Sequence, residues 1–274
     1  VAAAQGDVST QAPPLLEARG VRVAIGDVTI LEHADLTARA GELVAVVGPN
    51  GAGKSTLARA VAGLQRTSGG TIAWSGDDVR ELRGRRLARR RAFVPQRARV
   101  SDGVTVQTAV DLGRAPHIGA FGRPTRADRE AVRRAMARTD VADFAERRLV
   151  TLSGGELQRV QVAIALAQEA PVLIADEPTA HLDLGATAAL ARLLRELTHE
   201  GLAVILVVHD LGLAAAIADR VVVMSRGRSV ATGAPADVLD ERRLAEVWHV
   251  DAALQVGAGG RTALHVDWLD GSAA

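Results

Sequence analysis

Leu43-Val44-Ala45-Val46-Val47-Gly48-Pro49-Asn50-Gly51-Ala52-Gly53-Lys54-Ser55-Thr56 joins an apolar run to a glycine-rich loop and the start of a helical pattern. Its first five residues are an unbroken apolar run, which suits a strand covered on both faces, as in a parallel sheet. The next nine match G-x-x-x-x-G-K-[ST], and a helical pattern from Ser55 to Leu64 follows. Each part of such a loop has a chemical use. The glycines let backbone N–H groups turn inward around a β-phosphate, Lys54 reaches β and γ oxygens, and the Ser55 hydroxyl ligates Mg²⁺. The N-terminus of the helix adds a partial positive charge. The plain alternative is a Gly-rich structural turn, and the agreement of strand, loop, Lys and helix weighs against it.

Outward from this loop, Val172–Ala175 and Val204–Val208 are apolar runs of the same kind. Helical patterns at 155–168, 184–199 and 211–218 lie between or beside them, which argues for an α/β core. Leu16–Ala24 and Val28–Leu36 flank the turn pair Gly26-Asp27 and predict an antiparallel hairpin at a sheet edge. Val221–Ser225 and Ser229–Thr232 around Arg226-Gly227 predict a second hairpin; a short helix near 242–247 and a Gly-rich hairpin around 257–260 close the chain. From about Pro95 to Glu169 the pattern turns helical. There Thr125 suits an N-cap, with Val132, Met136 and Thr139 on one face of the helix it opens. This region reads as a helical lobe inserted into the α/β core. Residues 1–14 are small, polar and Pro-terminated, and read as a disordered lead-in.

Composition narrows the function. Aromatic residues make up 2% of the chain, with no Tyr, so the core must be built from Ala, Val, Leu and Ile. Formal charge is +1, from 33 Lys plus Arg against 32 Asp plus Glu, which gives no field to collect nucleic acid. The absence of Cys rules out disulfides and thiolate metal sites and fits a reducing cytosol. No run approaches the ~18 apolar residues that would span a bilayer, and the N-terminal stretch lacks the features of a signal peptide, so the chain by itself is expected to be soluble. The histidines at 33, 117, 181, 199, 249 and 265 show no paired metal spacing and read as structural or solvated.

Two acids, Asp176 and Glu177, emerge where the strand at 172–175 ends, the edge at which open α/β sheets bind ligands. Asp176 is placed to hold Mg²⁺ directly or indirectly, and Glu177 to polarise an attacking water. The alternative is that both cap the following turn. Leu152-Ser153-Gly154-Gly155-Glu156 opens a helix about twenty residues earlier, and in isolation is only a good helix start, with Ser153 as N-cap.

Taken together, GPNGAGKST at 48–56, Gln96 ending AFVPQ, LSGGE at 152–156, VLIADEP at 172–178, AHLD at 180–183 and His209 ending VILVVH occur in one order. In that set and order, over roughly Leu15–Leu254, the chain resembles the nucleotide-binding subunit of ATP-binding cassette (ABC) transporters. The resemblance implies a phosphate-loop ATPase core with a mainly parallel sheet, an antiparallel β edge subdomain, and a helical subdomain at about 97–169 that carries the signature. Residues 255–274 remain as a C-terminal hairpin and tail. The resemblance also implies a head-to-tail homodimer. Each ATP would lie between Lys54 of one copy and Ser153, Gly154 and Gly155 of the other, where a second helix N-terminus meets the γ-phosphate. By the same resemblance Gln96 touches Mg²⁺ or the water and links core to helical lobe, His209 contacts the γ-phosphate, and Asp183 lies at the dimer seam.

One departure stands out. Where the family commonly stacks adenine on an aromatic residue of the first hairpin, this chain offers Val23, Ala24 and Ile25, so apolar packing on Ile25 is expected, with a looser preference of ATP over GTP. Arg83, Arg85, Arg86, Arg89, Arg90 and Arg91 form a dense basic run that lacks interleaved aromatics apart from Phe93. It reads as a solvated helix face, near lipid headgroups, rather than a nucleic-acid site. Segment 111–117 (DLGRAPH) and Phe121-Gly122-Arg123, within the stretch 97–123 that would receive a membrane partner, resemble importers of iron-siderophores, haem and cobalamin. The expectation is thus an ATPase subunit on the cytoplasmic face of the membrane, held there by two transmembrane permease subunits. It would drive uptake of a metal chelate, ferric siderophore or haem ahead of cobalamin, delivered by an extracytoplasmic binding protein. The rivals are a non-transport ABC protein and an exporter subunit.

Overall fold

The computed structural model describes residues 13–97, 102–119, 122–180, 182–257 and 262–267. Apart from Pro13 and Pro14, the stretch read as a lead-in lies outside the described residues, as do His181, Phe121 and residues 258–260 of the last hairpin. The chain runs β1 (Leu16–Ile25), β2 (Val28–Ala38), β3 (Leu43–Val47), α1 (Lys54–Val61), β4 (Gly69–Trp74), β5 (Asp77–Asp78), α2 (Arg85–Ala88) and β6 (Ala92–Val94). The helical lobe follows with α3 (Val106–Leu112), α4 (Arg126–Arg138) and α5 (Gly154–Ala167). Then come β7 (Val172–Asp176), α6 (Leu184–His199), β8 (Ala203–Val207), α7 (Leu211–Ile217), β9 (Arg220–Ser225), β10 (Arg228–Gly233), α8 (Pro235–Val238), α9 (Glu241–Trp248), β11 (Ala252–Val256) and β12 (Thr262–Val266).

Among the described residues ten strands form one sheet, in the order β5-β4-β1-β2-β10-β9-β3-β8-β7-β6. From β9 to β6 every pairing is parallel, and the strands there are buried on both faces. That burial accounts for the unbroken apolar runs. In β3, Val44 and Val46 enter the core on one side of the sheet, while Leu43, Ala45 and Val47 enter the core on the other. A strand with a polar residue at any of these positions would bury an unpaired group, at a cost of roughly 1–3 kcal/mol.

Two expectations need correction. The first hairpin, β1–β2, is internal to the sheet, because β4 pairs with the outer side of β1 and β5 lies beyond it. The sequence of β4 hides this strand: it opens on Gly69-Gly70 and buries only Ile72 and Trp74, so its alternation spans a few residues. The Trp74 indole donates to the Val61 carbonyl at 3.0 Å, which ties β4 to the end of α1. The arginine run, secondly, is not one solvated helix face. Only Arg85–Ala88 is helical. Arg83, Arg85 and Arg86 are exposed, but Arg89 donates to the Pro116 carbonyl at 3.0 Å, Arg90 to Asp77 at 2.8 Å and Arg91 to the Ala62 carbonyl at 2.8 Å. The cause is β6, which starts one residue after Arg91 and draws the end of the run into the sheet; burial pushes the Arg91 pKa down.

In the helical lobe Thr125 caps α4 in a reciprocal box with Asp128, and Val132 and Met136 point into a core shared with Val106, Val110 and Val160. Arg114, buried just after α3, donates to Asp128 at 2.9 Å, to the Ala167 carbonyl at 2.8 Å and to Glu169 at 2.7 Å, so one guanidinium joins the three helices. Gln168 at the end of α5 donates to the carbonyls of Ala88 and Arg91, fastening the lobe to the core.

Candidate nucleotide site

Parallel register sets the site. β3, β8 and β7 are neighbours with Val46 beside Val207 and Ala175 beside Leu206, so the loops leaving their C-terminal ends emerge at one sheet edge. They carry the phosphate loop, the acid pair and His209. Gln96 arrives at the same edge from β6, which pairs with β7.

Gly53 precedes α1 in the left-handed region, φ 98°, and a Cβ there would lie 2.6 Å from the Leu31 side chain, so the last turn of the loop needs glycine. The Lys54 ammonium bends over the loop and donates to the carbonyls of Gly48 at 2.8 Å and Pro49 at 3.0 Å. Burial lowers its pKa, and the neighbouring Glu177 and Asp176 charges oppose that shift.

Asp176 is wholly buried at the end of β7. Its carboxylate accepts from the Ser55 hydroxyl at 2.7 Å, and Arg59 lies 3.4 Å from its other oxygen. Burial raises its pKa, against the pull of Ser55 and Arg59. Glu177 adopts φ 51°, a left-handed conformation that a side-chain-bearing residue takes at a cost of about 1–3 kcal/mol. Its amide donates to the Val207 carbonyl at 3.0 Å, which holds the turn in place. One carboxylate oxygen accepts from Gln96, and the other lies 2.6 Å from His209 Nε2. Asn50, Gly51, Gly53, Lys54, Ser55 and Thr56 line one recess with Gln96, Glu177 and His209.

The other sequence-derived residues stand elsewhere. Ser153 caps α5 in a reciprocal box: its hydroxyl accepts from the Glu156 amide at 3.3 Å and its own amide donates to Glu156 at 2.7 Å. The plain helix-start reading of Ser153 therefore holds within the chain, and its exposure leaves the outer side of that helix start accessible. Ser153 and Gly155 line a second recess with Asp183, whose side chain caps α6 by accepting from the Ala186 amide at 2.7 Å. The two recesses share no lining residue. Ile25 sits at the tip of β1–β2, 54% exposed and paired with Val28, which is 61% exposed; Val23 is buried in the core. Two lining or contacting residues escaped the sequence reading. Ile30 of β2 borders the phosphate recess, and nothing in its own stretch marks it. Arg59 follows Ser55 by four residues on α1 and so shares its face, a spacing that could have flagged it.

A family model described as ABC transporter matches residues 31–180. The chain is 47% identical over 234 residues to a hemin import ATP-binding protein of Streptomyces coelicolor, covering 85% of this chain and 83% of that protein. It is 46% identical over 248 residues to a cobalamin import ATP-binding protein of Halobacterium salinarum, covering 90% of this chain but only 61% of the length of that relative. A bacterial ABC transporter cassette solved as a dimer superposes with a TM-score of 0.72 at 26% identity, over 80% of this chain and 98% of that one.

Proposed function

Since the chain belongs to the ABC transporter family, as the ATP-binding subunit, we propose that it hydrolyses Mg-ATP to drive import of a metal chelate. The observation that carries the reading is the clamping of Glu177 between Gln96 and His209, beside Lys54 and the Ser55–Asp176 pair. Lys54, already aimed into the loop, exchanges its two carbonyl partners for β and γ phosphate oxygens. Glu177 takes the proton of the attacking water as that oxygen bonds to the γ-phosphorus and the bond to ADP breaks, leaving ADP and phosphate. Gln96 and His209 fix the two oxygens of that base, so proton transfer needs little reorganisation.

Mg²⁺ fits the residues present. Ser55, Asp176 and the Gln96 carbonyl are hard oxygen donors, and a wholly buried carboxylate met by one hydroxyl and one half-exposed guanidinium is suited to an added cation. Ser55, Asp176 and Gln96 would hold the ion, which would supply positive charge against the phosphates.

The segregation of the signature residues into their own recess supports a head-to-tail homodimer, because one chain then carries two unlike halves of a site. Exchange of the halves between two copies completes both sites at once. Ile25 and Val28, exposed at the hairpin tip, supply an apolar face for the base. Membrane permease subunits are the partner that the relatives named as import ATP-binding proteins support; no helix among the described residues is long and apolar enough to cross a bilayer. Leu112, 64% exposed at the end of α3, lies in the groove between the lobe and Gly84–Ala88 that would receive a permease helix. Such coupling puts the chain on the cytoplasmic face of the membrane, with an extracytoplasmic binding protein delivering cargo to the permeases.

For the cargo, haem or a ferric siderophore is favoured; the relative named for cobalamin import supports cobalamin as the second reading. The test is to reconstitute the chain with its permease in vesicles and measure ATPase with the binding protein loaded in turn with hemin, a ferric hydroxamate or cobalamin. Stimulation by a loaded iron chelate is expected; stimulation by cobalamin alone reverses the ranking, and none by any of them removes the importer reading.

A further inference from the structure

Two surface features are left over by the nucleotide site. Leu184, the first residue of α6, is 86% exposed, more than any other large apolar side chain among the described residues. On the outer flank of the phosphate loop a recess runs between Asn50 and Gly51, Val230 of β10, and Val247 and Trp248 of α9. Arg226, Arg243 and the carboxylate of Glu246 also line it; Glu246 lies 3.9 Å from Arg242, and neither lining guanidinium has an ion pair with an acid among the described residues.

These features sit beside opposite halves of the site. Leu184 follows Asp183, which shares a recess with Ser153 and Gly155. The Trp248 recess is walled by Asn50 and Gly51, which also border the phosphate recess. A pairing that brings Ser153 of one copy onto the phosphate loop of another therefore brings the neighbours of each together too. On one side the neighbour is an apolar knob carrying a carboxylate beside it. On the other it is a partly apolar hollow lined by two arginines and one glutamate, so its charge is positive on balance. Polarity and the overall sign of the charge match across the seam.

We propose that Leu184 of each copy seats in the Trp248 recess of a second copy of this chain, with the exposed Asp183 next to Arg226 and Arg243. This rests on the head-to-tail reading given above and adds to it a pair of apolar anchors outside the nucleotide contacts. By two-fold symmetry the contact is made twice, so a change in Leu184 acts twice on one association constant.

The chain contains no cysteine, which makes the test direct. Leu184→Cys and Val247→Cys are introduced separately into chains that also carry Glu177→Gln, mixed with Mg-ATP, and treated with a short bismaleimide. A covalent dimer that forms only in the mixture and only with nucleotide is expected. Independently, Leu184→Asp should raise the dimer dissociation constant by roughly a hundredfold and Leu184→Ile should leave it within about threefold; the exposure of this side chain keeps the fold of each variant intact. If the Glu177→Gln chain dimerises with ATP but gives no adduct, or Leu184→Asp dimerises as the parent does, the Leu184 contact is wrong while the head-to-tail reading survives. A chain that stays monomeric with ATP under all conditions overturns both.

Discussion

In the proposed mechanism turnover hangs on Glu177, and the geometry of that residue separates its role from simple charge. It is held at a left-handed φ with both oxygens engaged. Replacing it with Gln keeps the shape and removes the base, so ATP binding should persist while turnover falls by about 10²–10⁴, or roughly 3–5 kcal/mol of barrier. Phosphate release against equilibrium nucleotide binding checks this, and near-normal release would remove Glu177 from the chemistry. Ile25 raises a different question, because an apolar tip at 54% exposure can press on a base but cannot stack. Ile25→Tyr should tighten ATP about threefold to tenfold, in line with roughly 0.5–1.5 kcal/mol for an aromatic contact, with inorganic triphosphate binding unchanged. Equal tightening of both ligands would place the base elsewhere. At this scale the meeting of Lys54, Ser55, Asp176 and Glu177 was legible, because a loop between strand and helix and an acid pair at a strand end both belong at the C-terminal edge of a parallel sheet. Ile30 and Arg59 were less so: the first reaches the recess only because β2 passes close to Gly53, and the second is marked only by its four-residue spacing from Ser55.

Among the elements, α4 has the clearest electrostatic signature. Hydrogen bonds from the Thr125 side chain and backbone, with Arg114 alongside, hold the Asp128 carboxyl at about 2, below its usual 3.8. A depressed folded-state pKa means that its contribution is present above the unfolded value and is lost as pH falls from about 3.8 toward about 2. Asp128→Asn should therefore destabilise the protein by about 1–2 kcal/mol at neutral pH, and the gap to the parent should close in acid. Denaturant melts at pH 7 and near pH 3 test this; a gap independent of pH would assign the effect to packing. Thr125 was recognisable as a cap because capping is local. β4 was not recognisable, and neither was the internal position of β1–β2, because strand order depends on which distant strand supplies the next hydrogen-bonding partner. The arginine run misled for a related reason: a helix face and a chain entering a sheet look alike until the carbonyls of Ala62 and Pro116 are in place to accept from it.

For the molecule as a whole, the decisive expectation is complementation. Ser153→Arg should block the opposing γ-phosphate and Lys54→Ala should empty the phosphate grip, so each variant alone should be inactive. Mixed, they form heterodimers in which one site draws Lys54 from the first variant and Ser153 from the second, and ATPase should return to at most about half of the parent rate in those pairs. Mixtures that stay inactive at every ratio would mean that one site cannot work alone or that sites are not shared. The parallel core, the phosphate loop, the acid pair and the capped signature helix follow from the amino-acid order alone. Each is written in residues close together along the chain, where hydrophobic period, capping and turn chemistry act within a few positions. The ten-strand order, the clamp of Gln96 and His209 on Glu177, and the division of site residues between two recesses arise from long-range packing. Those depend on groups tens of residues apart meeting once the sheet has closed, and no local preference encodes such a meeting.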